Sequence, residues 1–453
     1  MVRLETISEI ALKPLIILSV ALIASAAFAQ QTQEPAPAVP AATQELPPEQ
    51  NGTSNTLTSL SGQFFEHNFI NLYAFADALY DSNALTLNGV EQGSWGFKGG
   101  GGIDAYHAWR DSIFSIDYQG AYTHYQQGGY QSGANQRLSL IYTRRLSRRW
   151  SLSANASGGI FLYGSDAFYP VETGAGVVVN NPFSPENKYL STGVSLVYQQ
   201  TRRLSYEVSG TFFLNRYQTT IGYSSTGISG SGSVNYALSA KTTLSGTYSH
   251  TYITYQQGAG QSTLDGAYLT LRHLFPRRWT GSLTAGVTRA DSSATNFIPV
   301  QLISNGQVVT AYAIVPYHRI SYVPTFEATA THDYRRSLLS VSAGQRVIPG
   351  NGIYLTSRTI FASGIYSRTY RRANFSAGAG YNRLTSISTN IANNYSSANI
   401  SASYGYTLTR HLAANLRYSY LHYGNFSGVS GVNDNRIQMG ISFSSAGVPM
   451  TLF

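Results

Sequence analysis

Segments in which apolar and polar residues alternate strictly recur along this chain, and each pair of segments surrounds a short basic turn. In residues 138–159, the side chains of Leu138, Leu140 and Tyr142 share one face, and the arginine-rich stretch 144–149 follows. A period of two residues is the pattern of a β-strand with two different faces, whereas a helix needs a period of 3.6. The stretch therefore predicts a β-hairpin, and its repetition constrains the fold of the whole chain.

The basic turns are regularly spaced from about residue 109 onward. Most successive turns are 35–39 residues apart, and two intervals span 58 residues. Two strands and one longer loop account for each interval, which is the layout of a transmembrane barrel with short turns on one side and long loops on the other. The eight predicted turns are at residues 109–111, 144–149, 202–203, 241–242, 276–278, 335–336, 371–372 and 410–411.

The turns also predict the number of strands. Eight turns imply sixteen flanking strands, and one strand at about residues 71–80 and another at about 433–443 make eighteen. We therefore predict an all-β, transmembrane, antiparallel up-and-down β-barrel of 18 strands. Sixteen strands is the alternative if residues 72–80 form a plug or an edge. Either number requires closure, because backbone polar groups in lipid have no water to bond.

Composition supports a barrel over a soluble β-sandwich. Charged residues make up 11% of the chain, compared with roughly 25% in a typical soluble protein. The polar faces of the strands carry Ser, Thr and Gly rather than Lys and Glu. The net charge of +9 comes from turn residues and is not concentrated on one face with stacking aromatics, so we predict no nucleic-acid partner.

The first 63 residues have a different character. Residues 1–29 resemble a secretory signal peptide: Arg3 and Lys13 supply positive charge, residues 15–26 are apolar, and Ala-Phe-Ala at 27–29 is a cleavage site. Residues 30–63 are rich in Pro and Gln without periodicity and predict a flexible leader. We expect the barrel domain to comprise residues 64–453.

The turns combine arginines with tryptophans. Trp109, Trp150 and Trp279 are at or beside turns, where amphipathic rings favour a membrane interface. The arginines either bind anionic headgroups or a partner, or simply keep the turns in water. We favour the second interpretation, because an arginine at the bilayer midplane costs roughly 2–4 kcal/mol.

A few charged residues lie on the predicted lumen face. By parity these are Asp117, Glu207, Arg272, Arg346 and Arg417. Scattered charges in a neutral polar lining favour weak ion selectivity or contacts with sugar hydroxyls. The alternative is that acid–arginine pairs brace the wall.

Two intervals contain insertions, at residues 163–188 and 292–318, and we predict long loops there. Long loops on a rigid scaffold often carry specificity. The first contains Asp166, Glu172, Glu186 and Lys188, which become candidates for a constriction if this loop folds into the lumen. An exposed surface loop is the alternative.

Sequence signals for catalysis are weak, and we predict no enzyme activity, no cofactor and no metal site. The chain has no cysteine and no G-x-S-x-G motif, and its nine histidines are dispersed. His124, His250 and His422 fall on the lipid-facing register. An outer-membrane hydrolase would require a Ser/His or Asp/His pair at the rim.

With these features together, residues 64–443 resemble a Gram-negative outer-membrane β-barrel of the porin-like superfamily. The organisation is similar to that of β-barrel porins found beside capsule or exopolysaccharide export genes. The resemblance implies an outer-membrane location, contacts with outer-membrane lipids and the assembly machinery, and passive diffusion of small hydrophilic solutes. Its alternative is an export-associated structural barrel, and porins commonly form homo-oligomers.

The C-terminus departs from this resemblance. Such barrels usually end on an aromatic residue of the last strand, which Phe443 matches, yet the chain continues to Phe453. Pro449 argues against a regular central strand in this tail.

Overall fold

A computed structural model of the chain describes part of the sequence. The described residues are 68–82, 93–126, 132–162, 186–217, 224–256, 259–304, 307–349, 354–387, 394–424, 431–445 and 448–449. The predicted signal peptide and leader lie outside this part. In the described part, no helix is long and apolar enough to cross a membrane.

Eighteen antiparallel strands form one closed sheet, as predicted. Each strand pairs with the next, and the first pairs with the last. The strands are β1 (Phe69–Asp81), β2 (Ser94–Ala108), β3 (Ser112–Tyr125), β4 (Gly133–Arg145), β5 (Trp150–Leu162), β6 (Glu186–Gln199), β7 (Leu204–Tyr217), β8 (Ser225–Ser239), β9 (Thr242–Tyr255), β10 (Gly260–Phe275), β11 (Trp279–Ser304), β12 (Gln307–Tyr334), β13 (Ser337–Pro349), β14 (Thr356–Thr369), β15 (Ala373–Ser386), β16 (Asn394–Thr407), β17 (Leu412–Tyr423) and β18 (Val432–Ser444).

The alternative of sixteen strands is not what the structure shows. β1 is a wall strand that pairs along its length with β2 and from Tyr73 to Asp81 with β18. All eight predicted basic turns connect consecutive strands at one end of the barrel, which we call the short-turn end. The opposite end is the long-loop end.

The predicted loop at residues 292–318 is wrong. β11 and β12 continue as a paired hairpin from Trp279 and His332 as far as Ser304 and Gln307. The residues between them in sequence are Asn-Gly, a strong hairpin signal, and the flanking stretches are rich in β-branched and aromatic side chains. These local preferences extend the sheet beyond the other strands.

The C-terminal tail returns to the wall. Val448 and Pro449 form a short strand, β19, that pairs with Ile70 and Phe69 of β1. This pairing continues the contact that β18 makes with β1 nearer the long-loop end. Pro449 therefore lies at the end of the ladder, where its missing N–H costs no central hydrogen bond.

The two faces of the wall differ as the alternation predicts. Apolar side chains such as Val208, Ile228, Leu283 and Met439 are more than half exposed on the outward face. The inward face carries mainly Ser, Thr, Asn, Gly and Tyr, many of them buried or half-buried. An apolar exterior around a polar interior is the reverse of a soluble fold and is what a lipid environment requires.

Aromatic rings pack over glycines of the neighbouring strand on the inward face. Tyr73 of β1 opposes Gly102 of β2, and Phe213 of β7 opposes Gly227 of β8. A Cβ atom at Gly227 would lie 2.2 Å from Cζ of Phe213, so only glycine leaves room for the ring. The glycine run at residues 99–102 has the same use at Gly102, where a Cβ would lie 2.4 Å from the Tyr73 hydroxyl.

We expect Gly227→Val to destabilise the barrel by about 1–3 kcal/mol, because the new side chain overlaps the buried Phe213 ring. Urea unfolding of the detergent-solubilised protein measures this. The matched control is Gly232→Val on the same strand, where an added Cβ has no atom within 4 Å. Equal destabilisation by both substitutions would contradict this explanation.

Candidate functional site

The barrel interior near the short-turn end is lined by hydroxyl groups. Serine and threonine side chains hydrogen-bond to one another across neighbouring strands and remain partly exposed. A hydroxyl lining of this kind is neutral and hydrophilic, and suits the passage of polar solutes. Examples are Ser209 with Ser231 (2.7 Å), Ser342 with Ser363 (2.7 Å), Ser376 with Ser403 (2.6 Å) and Thr270 with Thr284 (2.9 Å).

The interior near the long-loop end is packed. The largest fully buried side chains of the described residues all lie in the strand halves closest to the long loops: Phe213, Ile253, Ile348, Asn215, Thr356, Thr359, Asp81 and Ser94. Because the short-turn half is partly exposed and this half is buried, any pathway through the barrel is narrowest near the long-loop end.

One section of the inner wall is charged. It comprises the inward faces of β18 and β1–β4, which we call the charged wall. Arg436 contacts Asp81 at 2.5 Å and Asp434 at 3.9 Å, and Gln438 donates to Asp77 at 2.7 Å. The contacts of Arg436 with Asp81 and of Gln438 with Asp77 cross the seam where the last strand meets the first.

The charged wall continues onto β2, β3 and β4. Arg137 donates to Asp117 at 2.8 Å, and Asp104 opposes Asp117 in the β2–β3 register. Lys98 lies over the ring of Phe75, 5.7 Å from its centroid. Five acidic and three basic residues therefore occupy this wall: Asp77, Asp81, Asp104, Asp117, Asp434, Lys98, Arg137 and Arg436.

On the opposite section of the wall, the described inward positions in the long-loop halves of β6–β10 carry no charged side chain, and a segment folds into the interior there. Residues 354–357, which precede and begin β14, are all buried. Leu355 packs in an apolar cluster with Phe213, Ile253, Tyr255 and Leu264, which are inward residues of β7, β9 and β10. These strands are four or more positions away from β14 in the sheet, so the segment crosses the interior to reach them.

Hydroxyl groups fasten this segment to the wall. The Tyr255 hydroxyl donates to the carbonyl oxygen of Leu355. The Thr356 hydroxyl lies 2.8 Å from the Ser262 hydroxyl and 3.4 Å from those of Tyr255 and Ser292. The 354–357 segment is therefore held by several hydrogen bonds of modest strength in addition to the packing of Leu355.

The two wall sections face each other. In a closed ring of eighteen strands, β10 is nine positions from β1 in either direction. We call the narrowest part of the interior, near the long-loop end, the narrow level. A solute there would meet ionic groups on one side and neutral hydroxyl and aromatic groups on the other.

The register places the five predicted lumen charges, Asp117, Glu207, Arg272, Arg346 and Arg417, on the inward face. They are not gathered into one site. Asp117 pairs with Arg137, the Arg346 guanidinium lies 4.6 Å from the centroid of the Phe361 ring, and Glu207 is on a different part of the wall.

Of the four predicted constriction residues, the structure describes two and places neither in the lumen. Asp166 and Glu172 lie outside the described residues. Glu186 and Lys188 are the first and third residues of β6 rather than loop residues, and they form an ion pair of 2.7 Å. Their parity is opposite to that of the inward Asn187 and Tyr189, so they face outward at the long-loop end.

The three predicted interface tryptophans are at the short-turn end. Trp150 packs on Tyr198, with 4.7 Å between ring centroids, and Trp279 stacks on His332 at 4.6 Å. Trp109 is half exposed and packs edge-on against His107, with 4.2 Å between ring centroids. These aromatic pairs lie at one end of the barrel, a position that suits a membrane interface.

Several histidines have hydrogen-bonding partners on the outward face. His250 contacts Asp265 at 2.8 Å, His318 contacts Asp291 at 2.7 Å, and His124 contacts Ser132 at 3.2 Å. Arg289 bridges the two aspartates. Asp/His and Ser/His pairs, which an outer-membrane hydrolase would require, are therefore present on the outward face. In the part of the chain that the structure describes, no group of three or more possible ligands could hold a metal.

Most of the charged wall was not among the candidate site residues that the sequence predicts. Asp81, Lys98 and Arg436 share the inward parity of Asp117, so alternation could have identified their face. Their mutual contacts depend on the pairing of strands that are far apart in sequence. The 354–357 segment has no comparable signal, because its burial depends on tertiary packing against β7–β11.

No family model and no curated protein sequence matches this chain. Solved porin structures do match its coordinates. A BenF-like porin from Pseudomonas fluorescens Pf-5 is 11% identical, with 83% of this chain and 98% of that chain covered and a TM-score of 0.42. OccK2 (OpdF) of Pseudomonas aeruginosa in complex with glucuronate is 11% identical, with 84% and 99% covered and a TM-score of 0.41.

OccAB3 of Acinetobacter baumannii is similar at 10% identity, with 83% of this chain and 99% of that chain covered and a TM-score of 0.39. At these identities and TM-scores the alignments carry no argument about solute or residue roles. The barrel architecture rests on the strand pairing of this chain itself.

We expect Arg436→Met to destabilise the folded barrel by about 3–5 kcal/mol, because it leaves the buried Asp81 carboxylate without its cation. The double variant Asp81→Asn, Arg436→Met should recover much of this loss, since it removes both charges. Unfolding in urea measures both. Arg371→Met, in an exposed turn, is the control and should change stability by less than about 0.5 kcal/mol. A single variant as stable as wild type would show that this pair does not stabilise the seam.

Proposed function

We propose that this protein is a channel in the outer membrane of a Gram-negative bacterium that allows passive diffusion of small hydrophilic solutes. The observation that carries the proposal is a closed wall of eighteen strands with an apolar exterior and a hydroxyl-lined, partly exposed interior. Eighteen strands enclose enough space for an aqueous lumen where side chains and loops do not fill it. Diffusion through such a lumen needs no energy source and no catalytic group.

The proposed orientation follows from the two ends. Short turns face the periplasm and long loops face outward in outer-membrane barrels. The turn arginines would then lie in periplasmic water, and the tryptophans beside them at the inner interface. Outer-membrane lipids contact the outward face, and the assembly machinery would act on the last strands.

The narrow level explains how such a channel would select solutes. The 354–357 segment and the charged wall approach the pathway from opposite sides near the long-loop end. A solute must fit between them, so size and hydrogen-bonding capacity decide passage more than net charge does. Buried inward side chains at this level do not suit a wide conduit for polysaccharide, so no described feature favours the export-associated alternative.

Planar bilayers provide the direct test of the proposal. The purified full-length chain should produce discrete conductance steps, with weak preference between cations and anions because both signs of charge line the charged wall. A Phe443 variant that does not fold is the negative control, because any conductance from that preparation comes from contaminating porins. Current at background level from folded protein would refute the channel function.

We also predict that loosening the 354–357 segment increases conduction. Thr356→Ala removes the hydroxyl contacts with Ser262, Ser292 and Tyr255. A hydrogen bond of this kind typically contributes about 1 kcal/mol of net stability. Loss of one such bond should raise the ratio of open to closed time about fivefold. Single-channel recording measures this ratio.

The control is Ser342→Ala on β13, which removes a hydroxyl contact with Ser363 without touching the segment. It should leave the ratio unchanged. If both variants behave like wild type, the 354–357 segment does not limit the pathway.

A further inference from the structure

Three neighbouring polar side chains on the inward face of β7 and β8 are buried but have no hydrogen-bond partner. Asn215 is 0% exposed, and neither its amide oxygen nor its amide nitrogen makes a hydrogen bond. Ser225, its register partner on β8, is also 0% exposed and its hydroxyl is likewise unpaired. The Tyr217 hydroxyl, two residues beyond Asn215, is a third case. Buried polar groups are normally satisfied, so each exception needs a physical explanation.

The spacing between β7 and β8 does not explain why these side chains are unpaired, because other opposed side chains on the same strands do hydrogen-bond. Ser209 and Ser231, which also oppose each other across β7 and β8, hydrogen-bond at 2.7 Å. Ser229 of β8 contacts Thr251 of β9 at 2.8 Å. Only nearer the long-loop end do the opposed side chains Asn215 and Ser225 leave their donors and acceptors unused.

Tyrosines flank this pair on both sides. Tyr189 of β6 opposes Asn215, and Tyr255 of β9 opposes Ser225. Tyr189, Asn215, Ser225 and Tyr255 thus form a row across four adjacent strands, which we call the β6–β9 row. All four are buried. Aromatic faces beside a few convergent polar groups are typical of small-molecule sites.

The surroundings of the β6–β9 row are uncharged. The described inward positions in the long-loop halves of β6–β10 include no Asp, Glu, Lys or Arg. The charged residues in these strand halves, such as Lys188, Arg216 and Asp265, have outward parity. A carboxylate or ammonium solute would find no counter-charge here, because the charged wall is on the other side of the barrel.

We propose that the β6–β9 row binds a neutral sugar. The Asn215 amide offers one acceptor and two donors, which match two neighbouring hydroxyls of a sugar ring. The hydroxyls of Ser225 and Tyr217 each donate or accept one further bond, and the tyrosine rings cover the apolar C–H face of the sugar. This inference rests on the proposed channel and names the class of solute that it takes.

The row is covered in this structure, as the 0% exposure of Asn215 and Ser225 requires. Leu355 of the 354–357 segment packs in one cluster with Phe213 and Tyr255, which adjoin Asn215 and Ser225 respectively. Movement of this segment away from the wall therefore uncovers the row, and binding of sugar competes with closure.

Calorimetry on the detergent-solubilised full-length protein tests the site without any need for conduction. Glucose, galactose, arabinose and sorbitol are titrated separately, with glycine and gluconate as charged comparators. We expect saturable binding of at least one of the neutral compounds and none of the charged ones. Asn215→Ala should weaken this binding about tenfold, because it removes one or two hydrogen bonds.

Ser225→Ala is a second variant at the row, and Ser231→Ala is the matched control on the same strand. The first should weaken binding, whereas the control should not, and urea unfolding checks that all three variants fold. Absence of binding by all four neutral compounds, tighter binding of gluconate, or equal effects of Ser225→Ala and Ser231→Ala would each overturn the proposal.

The bilayer experiment separates this inference from the channel function. Conductance without sugar binding would leave the channel in place and remove the sugar site. Sugar binding without conductance would retain the site and remove the channel.

Discussion

Backbone hydrogen bonding at the closing seam is the constraint on which the rest of this structure depends. In lipid, an unpaired strand edge exposes amide and carbonyl groups that no water can satisfy. β1 meets this requirement by pairing with β2 on one side and with β18 and β19 on the other. The first and last strands of the chain must therefore find each other before any other feature of the barrel can persist.

Side chains reinforce that seam from the inside. Arg436 with Asp81 and Gln438 with Asp77 join β18 to β1 on the inward face, away from lipid. Buried ion pairs contribute little net stability but make a wrong register costly, because each mismatched charge would remain unpaired. The contacts of Arg436 with Asp81 and of Gln438 with Asp77 thus lie at the one strand pair of the ring that no sequence-local turn or loop connects.

The opposite side of the interior has a different organisation, and the contrast explains the pathway. There every strand pairs with its neighbours in sequence, so connecting segments along the chain set the register. The inner wall is free to carry hydroxyls and aromatics, and it accepts the 354–357 segment through Leu355 and Thr356. The resulting narrow level has one ionic and one neutral side, which makes chemical selection by hydrogen bonding possible.

Sequence alone determined the basic turns, the number eighteen, most of the strands and the faces of their alternating side chains. These properties depend on local chemistry: alternation sets the faces, and basic turns end the strands. The extension of β11 and β12, which we did not predict, also had a local signal, since Asn-Gly at residues 305–306 is typical of a hairpin. Only the tertiary structure decided which inward side chains meet, because Arg436 and Asp81, or Leu355 and Tyr255, become neighbours through ring closure and inward folding over distances of 100 residues or more.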